Sequence, residues 1–441
     1  MLKIKNLTVV IILLQLALNV QAQKKKKKRI AIEQSPKQEL IYDNVNYINT
    51  IKTVQLFPTG NGKENQLPIY TMGESEGLIL SFDDLRGDVR DYYYSIEHCN
   101  ADWNPSRLSS LDYAEGYNED RIVEFRQSQG TLQKYTHYET VFPNDYVRPK
   151  AAGNFLLKVY EDADKERLIL TRRFYVLKPL VSVASEILSS SFTNKRLSNQ
   201  KLNVTIKTGL TISNPHRDIQ VHVLQNQRPD NMMTLRTPMF IGTGEIKYNN
   251  SETLDFAANN EFRYVDLRSF KGGSAQIQDI RIDSLVEIQL FTDEDNADNT
   301  YATTYDENGK FYVRNLDYDN PEIGGDYADV EFSLLTTQNV TGNIYVVGGY
   351  NNYQRTEDNK LKYNPQTKKW TVKQQLKQGL YDYEYVLETT DGKVITDAFS
   401  GSHFQTGNDY QILVYYRRIG TYWDELLGVS SISINNKENK N

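Results

Sequence analysis

From about Leu40 onward, apolar and polar residues alternate in short runs separated by Gly, Pro, Asn and Asp, the period of two expected of half-buried strands. The second half of 47–57 alternates in this way, and Pro58-Thr59-Gly60-Asn61-Gly62 ends it with turn chemistry. Runs 78–82 and 92–96 flank an acidic loop, and 154–160 and 169–176 flank an acidic-basic turn before Pro179. Strand patterns continue at 202–208, 219–224, 245–248 and 286–291, then at 330–334, 343–350, 360–363, 370–376 and 379–387. The stretch 261–270 fits a short helical turn or an edge strand. No segment keeps a helical period for three turns, so the pattern predicts an all-β chain built of sandwiches, each burying one face of two sheets.

The 441 residues correspond to about three units of ordinary size. We expect three tandem β-sandwich domains of immunoglobulin/fibronectin-like type at 40–180, 181–320 and 321–428, with a tail at 429–441. The third contains the turn Gly349-Tyr350-Asn351-Asn352-Tyr353 and the later strand Gly379-Leu380-Tyr381-Asp382-Tyr383. It resembles the early-set immunoglobulin-like domains that include glycogen- and starch-binding modules, with Tyr353 where that turn usually carries Trp. The resemblance implies sugar stacking by Tyr350, Tyr353 or Trp370, although the same rings serve equally as core and edge packing.

Ahead of the strands, Lys3 and Lys5 precede an apolar run from Leu7 to Leu18, and Val20-Gln21-Ala22 has the small-residue pattern of a signal-peptidase site. The run is shorter than a spanning helix needs. Residues 1–22 therefore read as an export signal and 23–39 as a disordered arm bearing Lys24 to Arg29, able to rest weakly on anionic lipid. The formal charge of -6 becomes -8 without the signal, and -14 with the six cations of the arm counted apart. That balance gives no electrostatic reason to bind nucleic acid.

Composition narrows the chemistry. One cysteine, Cys99, excludes internal disulfides and cysteine-based zinc modules, and five scattered histidines give no metal-ligand spacing. The 31 tyrosines against 16 phenylalanines suit a pleated surface on which rings pack and hydroxyls stay wet. Cys99 beside His98 and Asp102, with His137 and Glu139 in the same unit, has the residue types of a cysteine-nucleophile site. A strand end flanked by tyrosines favours a small buried packer instead. His-Glu-x-x-His pairs and phosphate-cradling glycine loops are missing from the sequence. The run 293–299 is rich in Asp but departs from the helical calcium loop and reads as a solvated hairpin tip. No catalytic residue, metal or cofactor is expected.

The run Ser95-Ile96-Glu97-His98-Cys99-Asn100-Ala101-Asp102-Trp103, followed by Pro105-Ser106-Arg107-Leu108, Gly116-Tyr117, Tyr135-Thr136-His137-Tyr138-Glu139 and Phe142-Pro143-Asn144, resembles the signature of the type IX secretion system plug protein family. The likeness continues through 153–160 and 170–174, and the terminal 420–428 is similar to the family's closing segment. His98, Cys99, Asn100, Asp102, Trp103 and His137 are the signature residues, and packing alone can account for them. The resemblance implies a non-enzymatic periplasmic protein on the inner face of the outer membrane. Its partner would be the large translocon β-barrel, whose periplasmic mouth it seals while no substrate is in transit. The competing expectation is a periplasmic carbohydrate-binding module using the third unit.

Overall fold

A computed structural model of the chain describes residues 34–117 and 119–434. The expected export signal, the Lys24–Arg29 run and residues 435–441 lie outside the described residues. As the alternation predicts, the protein is nearly all β, with three short α-helices of four residues each among the described residues. Residues 36–434 belong to one compact unit.

Strand positions follow the sequence pattern closely. The runs read at 78–82, 154–160 and 169–176 are the strands Leu78–Asp84, Gly153–Glu161 and Leu168–Leu177. The ambiguous stretch 261–270 contains the strand Arg263–Asp266, which pairs with Gly379–Thr389.

Three apolar cores organise these strands. In the first, the sheet Ile51–Pro58, Leu78–Asp84, Thr136–Phe142 and Glu124–Gln127 faces Tyr92–Cys99, Gly153–Glu161 and Leu168–Leu177. Phe82 and Tyr138 stack at 5.2 Å, and Tyr92 sets its edge against both. Fully burying each such side chain stabilises the fold by roughly 1.5–3 kcal/mol. The tyrosines depart from expectation: Tyr92, Tyr94 and Tyr138 are fully buried, and their hydroxyls bond to protein groups such as the Asp84 carboxylate and the Arg90 amide. A buried hydroxyl needs such a partner, because leaving it unpaired costs about 1–3 kcal/mol.

The second core joins strands distant in sequence. Val181–Ser189, Asn199–Thr208 and Glu245–Tyr248 face a layer made of Ile219–Gln225, Asn408–Tyr416 and Glu425–Ile434. The third packs Ile277–Ile282, Val286–Leu290, Tyr327–Leu335 and Lys369–Lys377 against Arg263–Asp266, Phe311–Val313, Gly342–Val347 and Gly379–Thr389. Sheets therefore do not change over at 320 or at 428. Strands from 263 to 313 enter the third core, while the two strands after 407 return to the second. The reason is physical: alternation records which face of a strand is buried, not which strand lies beside it.

The first and second layers are also continuous. Leu168–Leu177 runs parallel to Glu425–Ile434 through the pair Leu177 and Leu426, giving a ten-stranded sheet. Its inward residues, such as Phe155, Leu157, Ile412 and Val414, feed the two large cores. The opposite face carries a smaller cluster of Cys99, Ala101, Trp103, Leu156, Tyr175, Leu413 and Tyr415.

Candidate functional site

Cys99 and Trp103 of the signature lie on that opposite face, whereas His98 packs on Phe155 of the inward face and His137 lies in the facing sheet beside Asp83. Tyr92–Cys99 ends against the strand Gly153–Glu161, and the chain then turns through Asn100 to Trp103, whose φ is +65°. The Trp103 amide donates to the Asn100 carbonyl at 2.9 Å, and the Asn154 side chain donates to the carbonyls of Asn100 and Ala101. The far end of the chain locks this turn. Asp424 accepts from the Ala101 amide at 3.1 Å and from both Nε and Nη2 of Arg417, while its own amide donates to the Asn100 side chain. Tyr415 donates to Asn154 at 2.7 Å. The two family-like segments, more than 300 residues apart, thus form one clasp between the first and second cores.

The signature side chains from His98 to Trp103 lie in or beside it. Trp103 lies under the Arg173 guanidinium at 4.5 Å and meets Tyr175 edge-on. His98 is buried, its Nε2 bonded at 3.1 Å to the Ala152 carbonyl and its ring edge-on to Phe155. Gly153 has a φ of +139°, and a Cβ there would stand 2.6 Å from that same Nε2, so the clasp requires glycine. Asp102 is exposed and accepts from the Asn104 amide and side chain.

Burial settles the protonation of this pair. It pushes the His98 imidazole down to about 4, leaving it neutral at pH 7, and the Cys99 thiol up to about 12. The Cys99 sulfur has the Glu97 carbonyl as its partner, a weak contact at 3.9 Å. The nucleophile reading therefore lacks a thiolate. Cys99 is expected to resist a thiol reagent such as DTNB in the folded chain and to react stoichiometrically once urea unfolds it. Rapid labelling under native conditions would contradict the burial.

The rings proposed for sugar stacking are placed for packing. Tyr353 is 4% exposed, with one face beneath Arg228 at 4.5 Å and its hydroxyl donating to the Gly309 carbonyl. Half-buried Tyr350 meets Tyr381 edge-on, and half-buried Trp370 packs on the third core beside Tyr363. Tyr350 and Tyr353 thus make no open platform. A cavity of about 190 Å³ lined by Trp103, Arg173, Phe311 and Tyr353 is smaller than the ~300 Å³ at which ligand pockets begin. The 293–299 run is likewise no free tip: Asp293 accepts from Tyr383 and Tyr385, and Asp295 from Thr336 and Gln338.

Two buried charge clusters, which the sequence reading missed, join the third core to the others. In the first, Asp83 accepts from Lys377 Nζ at 2.6 Å, Tyr327 at 2.7 Å and His137 Nδ1 at 2.7 Å. Lys377 also donates to the Glu322 carbonyl and sits 4.2 Å over the Tyr135 ring. Burial alone would raise the Asp83 carboxyl, but the Lys377 ammonium and the His137 hydrogen bond hold it below the usual carboxylate range. In the second, Arg228 is fully buried, bidentate on Asp230 at 2.9 and 3.0 Å and paired with Glu384. Nothing in the local pattern separates these ions from solvated ones, since their partners are remote in sequence.

One feature of the first unit faces outward. The strands Ala114–Gly116 and Val147–Pro149 form a two-stranded ribbon. Exposed Tyr117 and Tyr146 stack there at 5.9 Å, and Leu111, on the short helix Ser110–Tyr113 that precedes the ribbon, is 76% exposed. Gly116, with φ +93°, allows the chains to approach, for a Cβ would meet the Tyr146 carbonyl at 2.4 Å.

An all-β scaffold whose first and second cores are closed by a structural clasp is the class that the fold and site define. Residues 51–178 match the model of the type 9 secretion system plug protein first domain. The chain belongs to the type 9 secretion system plug protein family, and its role lies in type 9 secretion. A solved structure similar to it is that of a hypothetical protein from Parabacteroides merdae, 31% identical, with a TM-score of 0.86, covering 90% of this chain and all of that one. Residues 333–377 match the Kelch motif. A propeller blade is one four-stranded sheet, whereas here Tyr327–Leu335 and Lys369–Lys377 lie in one sheet and Gly342–Val347 in another. No curated protein matches the chain. Among the described residues, no helix is long and apolar enough to cross a membrane.

Proposed function

We propose that this protein is a non-enzymatic periplasmic subunit that seals the periplasmic mouth of the type 9 outer-membrane translocon barrel while no substrate is in transit. The observation that carries the reading is the family domain at 51–178 with its exposed Tyr117–Tyr146 stack and the exposed Leu111 of the helix that precedes the ribbon. Exposed aromatic and aliphatic side chains grouped on one rigid element are the usual anchors of a protein interface. The export signal expected at 1–22 agrees with a periplasmic location. Buried ionic links between the cores suit a plug, which must hold its shape against the barrel without catalysing anything.

Affinity-tagged protein from native outer membranes is expected to bring down the barrel. Replacing Leu111, Tyr117 and Tyr146 together by Ser should leave the fold intact and weaken capture by about tenfold or more, the effect of losing a small anchor cluster. Recovery of tagged protein without the barrel would sink the reading, and undiminished capture by the triple variant would remove the ribbon from it.

A further inference from the structure

We propose that His137, Glu139 and Glu322 form a binding site for a zinc-like divalent cation that bridges the first and third units. One ring nitrogen of His137 and one carboxylate oxygen from each glutamate lie within 4.8 Å of one another. Donors around a tetrahedral zinc ion stand roughly 3.4 Å apart, so small glutamate rotations close the set. His137 and Glu139 alternate on the strand Thr136–Phe142 and so share a face, while Glu322 comes from the short helix Pro321–Gly324 of the third unit.

The histidine supplies the independent observation. It is 7% exposed, and its Nε2 is buried with no hydrogen-bond partner, although a buried polar nitrogen ordinarily has one. Its Nδ1 is held by the Asp83 carboxylate at 2.7 Å. That bond places the ring proton on Nδ1 and leaves the Nε2 lone pair as the acceptor. A carboxylate bonded to the far nitrogen of a histidine is the arrangement that orients metal-ligating imidazoles and raises their basicity. One imidazole with two carboxylates suits zinc or a neighbouring first-row ion better than calcium or magnesium, which favour all-oxygen sets. A fourth position is left for water. Arg126 pairs with the Glu322 carboxylate, and the cation would take its place. Lys377, bonded to Asp83, remains behind the histidine.

The test uses the full chain, stripped with a chelator and titrated with Zn²⁺ alone by calorimetry, with the thermal midpoint measured in parallel. The expected result is one ion per chain and a higher midpoint. Glu139→Gln and Glu322→Gln, both at partly exposed positions and expected to fold, should each weaken binding about tenfold or more. Their double variant should lose the thermal shift. Absence of saturable binding, equal affinity in the double variant, or binding of Ca²⁺ in preference to Zn²⁺ would each overturn the assignment.

Discussion

Lys377→Met should destabilise the protein by ~3–5 kcal/mol, the cost of leaving one member of a buried ion pair without its partner. Lys377 and Asp83 are each almost fully buried, and the pair spans the seam between the first and third cores. The substitution preserves most of the side-chain volume, so the loss reports charge and not a cavity. Asp83 would keep its bonds from His137 and Tyr327 but lose the cation that offsets its burial. Its depressed carboxyl contributes stability above its ordinary pKa near 4 that disappears as pH falls through the lower folded value. The deficit of the variant should accordingly shrink in acid. Urea titration of the full chain at pH 7 and at pH 4 measures both effects. A loss below about 1 kcal/mol at pH 7, typical of an exposed pair, would contradict the buried cluster.

Arg228→Met is the second large effect, again ~3–5 kcal/mol by the same reasoning. Here the native carboxyl is shifted in the opposite direction, although the cost of the substitution again falls in acid. Burial pushes the Glu384 carboxyl above its ordinary range, and Arg228 opposes that shift. Stability contributed by a raised carboxyl is complete below its unfolded pKa and is lost as pH rises through the folded one. Without Arg228 the folded value climbs further, but a carboxyl that can take up a proton escapes most of the penalty. The cost should therefore be smallest near pH 5 and grow toward pH 8. Arg228→Lys should fall between wild type and Met, since an ammonium restores charge without the two-pronged contact to Asp230. Thermal midpoints across that pH range check the order of the three proteins.

Much of the fold is written in local alternation. Val286–Leu290 reads apolar, polar, apolar, polar, apolar, and its burial follows the same beat. The signature run at 95–103 was also visible, because Glu97-His98-Cys99-Asn100-Ala101-Asp102-Trp103 is an ordered string of unrepeated residues. What those residues touch was not. Asp424 reaches back to Asn100 and Ala101 across the whole chain, and no local period encodes that pairing. Tyr353 was noticed as standing where the turn usually carries Trp, with stacking and packing both open, and Arg228 from another unit covers it. The same limit hid the clusters around Lys377 and Arg228, whose residues look like ordinary surface ions until remote strands bring their partners in. His137 and Glu139 were noticed in the sequence only as members of one unit; the strand Thr136–Phe142 puts them on one face, and Glu322 joins them through tertiary packing alone.

The seal itself is tested most directly by the permeability of the outer membrane to a large antibiotic such as vancomycin in a strain lacking this protein. The expected result is entry of the drug while the translocon barrel is present, and exclusion again when the barrel is deleted as well. A deletion strain that excludes vancomycin as well as its parent does, with the barrel still in its outer membrane, would contradict a sealing role.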